Sequence, residues 1–440
     1  MSPSKIRCGA LILLLGGVCA AAPPAPAPPI PLTLDECVAL AVRNNLSVLL
    51  AKAMTESARG RVLQSASALL PHLTGQLSET RTFRADLRAL IGFQSPELVG
   101  PWNDFEARVH LVLEVFDLPS ILRLKSSGAD DRASAMEERL AGEQVAAAAT
   151  LSYVELFRAR RAIASAEADL ALATDLRRLA QDEKGAGVAA GIDVARAKTR
   201  EAERKLALLE ARNIAAQSEV RLQRVTGLSL DRGVALKDEP AFAPLEPPPV
   251  EAAIQAASQE RWELRIASER LSAAQSQWRS EQAARLPSVV LTGDAGLSGP
   301  AANSQARTTG SAGAALQVPF FTGGAISGRV READGRRAAI EAKLKDWRSQ
   351  VEEDVRLALI DLVDAVERVK TSLEVERLAE DELAMGRDRF TAGVADNLEL
   401  LNAQAALSHA RSDRIRAMAL YQTARVNLAL SLGRMRDFRF

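Results

Sequence analysis

The sequence predicts a mainly α-helical protein built from two tandem structural repeats, each of which adds two strands to a transmembrane β-barrel. Three observations indicate this class. A Gly-Val-Ala turn occurs twice, at residues 187–189 and 393–395, apolar heptads run through long stretches without proline, and four short stretches alternate apolar with polar residues. Superimposing the two turns also pairs Asp193 with Glu399, which indicates that the chain repeats one module.

Composition argues against several classes of function. The 440 residues carry a formal net charge of zero and no basic face, so we expect no nucleic-acid partner. Histidine occurs only at His72, His110 and His409, far apart in sequence. No nucleophile, base and orienting group recur together, and no spacing fits a metal site. We therefore expect a protein that is not an enzyme and needs no cofactor or metal ion.

Residues 1–22 have the features of a signal peptide. Basic residues precede a short apolar run, and small residues around Cys19 offer a cleavage site. Cys19 is either removed with this peptide or kept as a lipid attachment site, and Val18 before it favours removal. After removal Cys37 is the only cysteine, so we expect no internal disulfide.

The rest of the chain divides into two similar halves. Residues 32–48 resemble residues 247–264, and a Leu-Pro pair precedes the first strand of each half, at Pro71 and Pro287. The predicted regions are a proline-rich leader at 23–31, repeat 1 at 32–235, a proline-rich linker at 236–249 and repeat 2 at 250–440. Within each repeat we expect a helix, a strand pair, a long helix, a tight turn and a returning helix. The strand pairs are expected at about 72–117 and 288–320, and the turns at about 185–191 and 391–397.

Heptads predict the long helices. No proline occurs between Pro119 and Gly185, which allows a helix of roughly 65 residues and about 100 Å. Large residues alternate with small ones along one seam, and small residues let helices approach closely. The seam residues are Leu156, Ile163 and Leu170 in the first repeat and Val355, Leu362 and Val369 in the second. An ordinary antiparallel coiled coil is the alternative explanation of this pattern.

A run of alternating residues predicts a membrane strand. From residue 105 to residue 115, apolar and polar side chains alternate over about ten residues, the length of a tilted transmembrane strand. Weaker alternation begins at Leu73, Val289 and Ala312. Four strands leave two open edges, which lipid does not tolerate, whereas three copies give twelve strands around an aqueous lumen. The sequence therefore predicts a homotrimer with one shared twelve-strand barrel, and surface hairpins on a coiled coil are the alternative.

The mature chain also resembles the outer-membrane efflux proteins, the family of TolC-like channel-tunnels. The motifs that carry the resemblance are residues 32–48, the Leu-Pro pairs, LQVPFFTGG at 316–324 and RFTAGVADNLELLNAQAAL at 389–407. The resemblance implies a homotrimer whose barrel lies in outer-membrane lipid and continues as a long α-helical barrel across the periplasm. It also implies two further partners, a periplasmic adaptor (membrane fusion) protein and an inner-membrane pump.

The resemblance assigns roles to the two turns. The turns would be periplasmic tips that contact the adaptor through Gly187, Val188, Ala189, Gly393, Val394 and Ala395. The residues at the periplasmic aperture would be Asp193, Asp396, Glu399 and Asn402. No basic residue directly follows Gly393, so the family's closing ion pair is not expected in its usual form. Alternatively, Asp193 and Glu399 complement helix N-termini, where a negative charge contributes about 0.3–1 kcal/mol.

Three functions remain open on the sequence. The first is a passive exit duct for small molecules, coupled through the adaptor to the pump. The second is the same duct in type I protein secretion, which the channel sequence does not distinguish because the pump selects the cargo. The third is a soluble periplasmic coiled-coil scaffold.

Overall fold

The structure is a computed structural model that describes residues 29–85, 98–187, 190–302, 305–392, 394 and 397–440. The predicted signal peptide and residues 23–28 of the leader lie outside this part of the chain. The described chain is mostly helical with a smaller strand content, which confirms the predicted mainly α class.

The two halves contain the same elements in the same order. Repeat 1 contains α1 (Leu34–Asn44), α2 (Leu46–Ser67), β2 (His72–Ala85), β3 (Leu98–Phe116), α3 (Leu118–Gly185) and α4 (Gly191–Thr226). Repeat 2 contains α5 (Val250–Glu260), α6 (Trp262–Ala283), β5 (Ser288–Gly299), β6 (Arg307–Gln317), α7 (Ala325–Thr391) and α8 (Asn397–Ser431). The single first helix expected in each repeat is two helices, because the backbone is extended at Asn45 and at Arg261.

Two short strands were not predicted. Strand β1 (Ile30–Leu32) pairs in parallel with β4 (Val234–Leu236). Leu32 and Val234 are buried, and the Tyr153 hydroxyl of α3 donates to the Leu32 carbonyl at 3.3 Å. Strand β1 therefore includes residues 30–31 of the leader expected at 23–31. Strand β4 includes residue 236 of the linker expected at 236–249. Their alternation is too short to recognise in sequence, and only the distant partner stabilises them.

The other four strands form one antiparallel sheet in the order β2-β3-β5-β6. In its register Arg108 of β3 lies opposite Gln76 of β2 and Gly296 of β5, while Val109 lies opposite Gly75 and Ala295. Around these two residues, polar positions align with polar or small ones and apolar positions with apolar or small ones, whereas nearer the helices Glu114 lies opposite Val290 and Val112 opposite Thr292. Strands β2 and β6 are the two outer edges of this sheet.

Below the four-stranded sheet, the helices also lie four side by side. Next to the sheet the principal contacts run from α2 to α3, from α3 to α6 and from α6 to α7. Further along, they run from α4 to α3, from α3 to α8 and from α8 to α7. Each level of the molecule is therefore a wall four elements wide. One edge is formed by β2, α2 and α4, and the other by β6 and α7.

The core of the wall follows the predicted heptads most closely in the second repeat. Val355, Leu362 and Val369 are completely buried between α7 and its neighbours. In α3, Leu156 is completely buried, but Ile163 is only half-buried. Among the described helices none is by itself both long and apolar enough to cross a membrane, and α1 with α2 meets that test only as a pair bent by 45°.

Candidate functional site at the helix reversals

The first reversal lies between α3 and α4. The Ala186 N–H donates to the Asp182 carbonyl at 2.9 Å, and the Gly187 N–H donates to the Lys184 carbonyl at 3.1 Å. Gly187 has φ of 78°, a left-handed conformation that costs a residue with a side chain about 1–2 kcal/mol. A Cβ at this position would meet nothing within 4 Å. Glycine is therefore required by the backbone conformation and not by crowding.

Asp193 caps the helix that returns from this turn. Its carboxylate accepts from the Ala190 N–H at 3.2 Å and lies 3.6 Å from the Arg196 guanidinium. Burial, together with the nearby Asp193 charge, raises the pKa of the Glu183 carboxyl on α3. Asp193 thus satisfies a free backbone donor at the start of α4, as the capping alternative expected. Val188 and Ala189 lie outside the described residues.

The second reversal lies between α7 and α8. The Ala392 N–H donates to the Asp388 carbonyl, and the Val394 N–H donates to the Arg389 carbonyl, each at 3.0 Å. Val394 is 68% exposed at the end of the molecule, so its side chain is available to a partner. The remaining predicted tip and aperture residues of this turn lie outside the described part of the chain, namely Gly393, Ala395 and Asp396.

Glu399 pairs with an arginine of the preceding helix. Its Oε1 lies 3.2 Å from Nε of Arg389, and both side chains are about half exposed. Asn402, one turn further along α8, is also exposed. Sequence reasoning looked for a basic partner after Gly393 and missed Arg389, which precedes it. The usable signal is that a tight helix–turn–helix brings together the last turn of one helix and the first turn of the next.

Apolar contacts fasten the second hairpin to the first. Leu400 and Leu401 of α8 are buried against Leu383 of α7, and Leu176 of α3 belongs to the same cluster. The two reversals are therefore held side by side at one end of the wall. The acidic residues Asp193 and Glu399 follow them at equivalent positions of the returning helices.

A layer of charged residues crosses all four long helices roughly 20 Å from the reversals, counted at 1.5 Å per residue. Ser408 of α8 donates to the buried Asp169 of α3 at 2.6 Å, and Arg204 of α4 donates to Ser408 at 2.8 Å. Arg411 of α8 lies 3.8 Å from Asp169 and 3.9 Å from Glu376 of α7. Sequence reasoning missed this layer because each residue occupies an otherwise ordinary helical stretch.

Comparison with known families decides the identity of the fold. Residues 253–434, nearly all of repeat 2, match the family model described as outer membrane efflux protein. The matched residues are less than half of the chain, so the similarity to this family is shown for the second repeat. Among curated proteins, none matches the chain. This similarity agrees with the family resemblance that the sequence motifs indicated.

Solved structures extend the likeness over both repeats of the chain. The outer-membrane channel OprN is 21% identical, with a TM-score of 0.81 over 91% of this chain and 89% of that one. The CmeC outer membrane channel of Campylobacter jejuni is 18% identical, with a TM-score of 0.82 over 91% and 85% of the two chains. The outer membrane protein VceC of Vibrio cholerae is 20% identical, with a TM-score of 0.79 over 91% and 96%. At these identities the likeness establishes the fold.

Proposed function

We propose that the protein is the outer-membrane duct of a tripartite efflux system. In this proposal three copies form a passive exit path for small molecules, coupled through a periplasmic adaptor to an inner-membrane pump. The observation that carries the proposal is the four-element wall, because in the part of the chain that the structure describes it has an unpaired edge on both sides, from the sheet to the reversals.

The sheet edges support three copies per assembly. Strands β2 and β6 each have one side without a strand partner in the described chain. In lipid those backbone groups find no water, so an open edge costs several kcal/mol for each unsatisfied group. If β6 of one copy pairs with β2 of the next, a ring of three closes with twelve strands and no open edge.

The helical edges have matching apolar surfaces. Exposed apolar residues follow one face of α7, namely Leu357, Ile360, Val375, Leu378 and Met385. Exposed apolar residues also follow α4, namely Leu206, Leu209 and Val220. Val375 and Leu378 lie roughly 20–24 Å from the tip end of α7, and Leu206 and Leu209 lie roughly 22–27 Å from the tip end of α4, at 1.5 Å per residue. The two faces are thus at one height and fit each other in a head-to-tail ring.

The exposed face of the sheet favours a membrane protein over a soluble scaffold. Leu73 and Leu77 of β2 are 69% and 74% exposed, and Leu316 of β6 is 66% exposed. Their neighbours on that face are small or apolar, as the register requires. A contiguous apolar face of this kind is unfavourable in water and favourable in the lipid around a barrel.

The tips have two roles in this proposal. Gly187, Val188, Ala189, Gly393, Val394 and Ala395 contact the adaptor in this proposal, because α3 and α7 end next to these residues at the end of the wall away from the sheet. Asp193, Asp396, Glu399 and Asn402 surround the aperture where three pairs of hairpins converge. Three equivalent carboxylates at a constriction attract cations and repel small anions.

Two measurements test this function. The mass of the purified protein in mild detergent should correspond to three chains, and a stable monodisperse monomer would contradict the shared barrel. Crosslinking in cells followed by purification should recover an adaptor together with the pump it serves. Recovery of a protein-secretion transporter in place of an efflux pump would assign the duct to type I secretion.

A further inference from the structure

A cavity of about 360 Å³ lies between α3 and α8, where the two helical hairpins meet. Pro240 of the linker closes one end. The linker is fixed there because the Gln422 side-chain amide donates to the Ala241 carbonyl at 3.0 Å and the Tyr421 hydroxyl donates to the Ala243 carbonyl. The cavity therefore lies on the face of the wall that carries the linker, and it belongs to one protomer.

The walls of this cavity combine apolar side chains with arginines. The apolar lining includes Val154, Phe157, Ile415 and Met418. The basic lining consists of Arg158, Arg161, Arg411 and Arg414. Among the described residues, no aspartate or glutamate lines the cavity. A volume of this size is typical of small-molecule sites, which are mainly apolar with a few convergent polar groups.

The arginines have donors left for a ligand. Arg161 stacks over the Phe157 ring at 5.2 Å and donates through Nη2 to Glu239, a side chain that is 72% exposed. A guanidinium carries five N–H donors, so this pair uses a fraction of them. Arg411 lies 3.5 Å from Glu380 and farther from its other carboxylates, distances longer than an ordinary charge-assisted hydrogen bond.

A buried hydroxyl also faces the cavity. Ser165 lines it, and its Oγ is buried with no hydrogen-bond partner in the part of the chain that the structure describes. A buried hydroxyl without a partner is costly, and nearly all such groups in proteins are paired. A ligand oxygen placed between Ser165 and Arg161 would satisfy both side chains.

We propose that this cavity binds a small amphipathic organic anion, with an aromatic or alicyclic body and one carboxylate or sulfonate. The body lies against the apolar wall, and the anionic group accepts from the arginines and from Ser165. Such a ligand touches both α3 and α8, so it stabilises the packing of one hairpin on the other. The site lies within one protomer, and its occupancy does not depend on the proposed transport function.

Calorimetric titration of the full-length protein in maltoside micelles tests the site, with 2-naphthalenesulfonate as the probe and empty micelles as the blank. One saturable site per chain is expected. Arg161→Gln should weaken binding about tenfold, the loss of one charge-assisted hydrogen bond. Ala168→Trp should abolish binding, because Ala168 lines the cavity and is exposed, so a large side chain there fills the space without disturbing the core.

The matched control is Arg178→Gln, which removes an exposed arginine of the same helix that pairs with Asp175 and does not line the cavity. Its affinity for the probe should equal that of the wild type. The proposal is overturned if the wild type shows no saturable binding, if Arg161→Gln and Ala168→Trp bind as the wild type does, or if the neutral 2-naphthalenemethanol binds equally well.

Discussion

Arg389 and Glu399 form an ion pair across the reversal between α7 and α8, with Nε and Oε1 3.2 Å apart. The side chains are 57% and 45% exposed, so the pair contributes at most about 1 kcal/mol to stability. The larger effect of this ion pair is on the electrostatic potential around the Glu399 carboxylate. In a trimeric aperture each Glu399 carboxylate would be partly neutralised by a guanidinium of its own chain, which weakens the attraction for cations.

The charge at position 399 should therefore set ion selectivity. Glu399→Gln should lower the cation preference of the channel and Glu399→Lys should reverse it, whereas Arg389→Gln should raise it by removing a positive charge beside the carboxylate. Asn402→Asp should also raise it, because it adds a second acidic ring one turn away. Reversal potentials in planar bilayers measure all four variants. Indistinguishable values would mean that Glu399 acts only at the helix end and its ion pair.

The left-handed turn at Gly187 gives a second prediction. Gly187→Trp should impair export but leave the trimer and its membrane insertion intact, because the change combines backbone strain with bulk at the tip. Gly185→Trp is the matched control, since Gly185 is helical and also has open space around it. Export assays that fail for both variants indicate a docking surface, and failure of Gly187→Trp alone indicates strain. Loss of assembly in either variant would show that the turn is structural.

The apolar face of α7 should hold the trimer together. Leu378→Asp places a charge on that face and should shift the protein in mild detergent from trimer towards monomer, because burying an unpaired carboxylate at an interface costs several kcal/mol. Leu245→Asp is the control, since Leu245 is 45% exposed and lies in the linker before α5, on neither α4 nor α7. Native mass spectrometry compares the two variants. An unchanged trimer in Leu378→Asp would place the interface elsewhere.

Glu143 should make stability depend on pH. Burial raises the pKa of this carboxyl, although Trp262 Nε1 donates to it at 2.8 Å. Because the pKa is raised in the folded state, the contribution of Glu143 to stability is fully present below the pKa of the unfolded chain. This contribution is lost as the pH rises through the pKa of the folded protein. Glu143→Gln keeps the acceptor for Trp262 and does not ionise, so the thermal midpoint of this variant should rise relative to that of the wild type as the pH increases above the ordinary carboxyl pKa of 4.5. A difference between the two midpoints that stays constant as the pH increases would contradict the assignment.

Local patterns in the sequence were sufficient for the helices and for the alternating strands. The proline-free heptads predicted the long helices, since their information repeats every few residues along one chain segment. The alternation through Val109 and Leu111 predicted a strand with two unlike faces, and the observed register aligns those faces across the sheet. The turns followed from glycine, whose conformational freedom is a property of a single residue.

Contacts between distant segments required the tertiary structure. The pairing of β1 with β4 joins residues about two hundred positions apart, and neither three-residue strand has a periodicity that identifies its partner. The ion pair of Arg389 with Glu399 depends on how the turn orients two helices, and the arginine-lined cavity depends on the rotation of α8 against α3. Sequence alone determined the long helices, the four alternating strands and the positions of the two turns, because propensity and periodicity act locally. Only the tertiary structure decided which charged side chains meet, because that depends on the register between helices that are packed together.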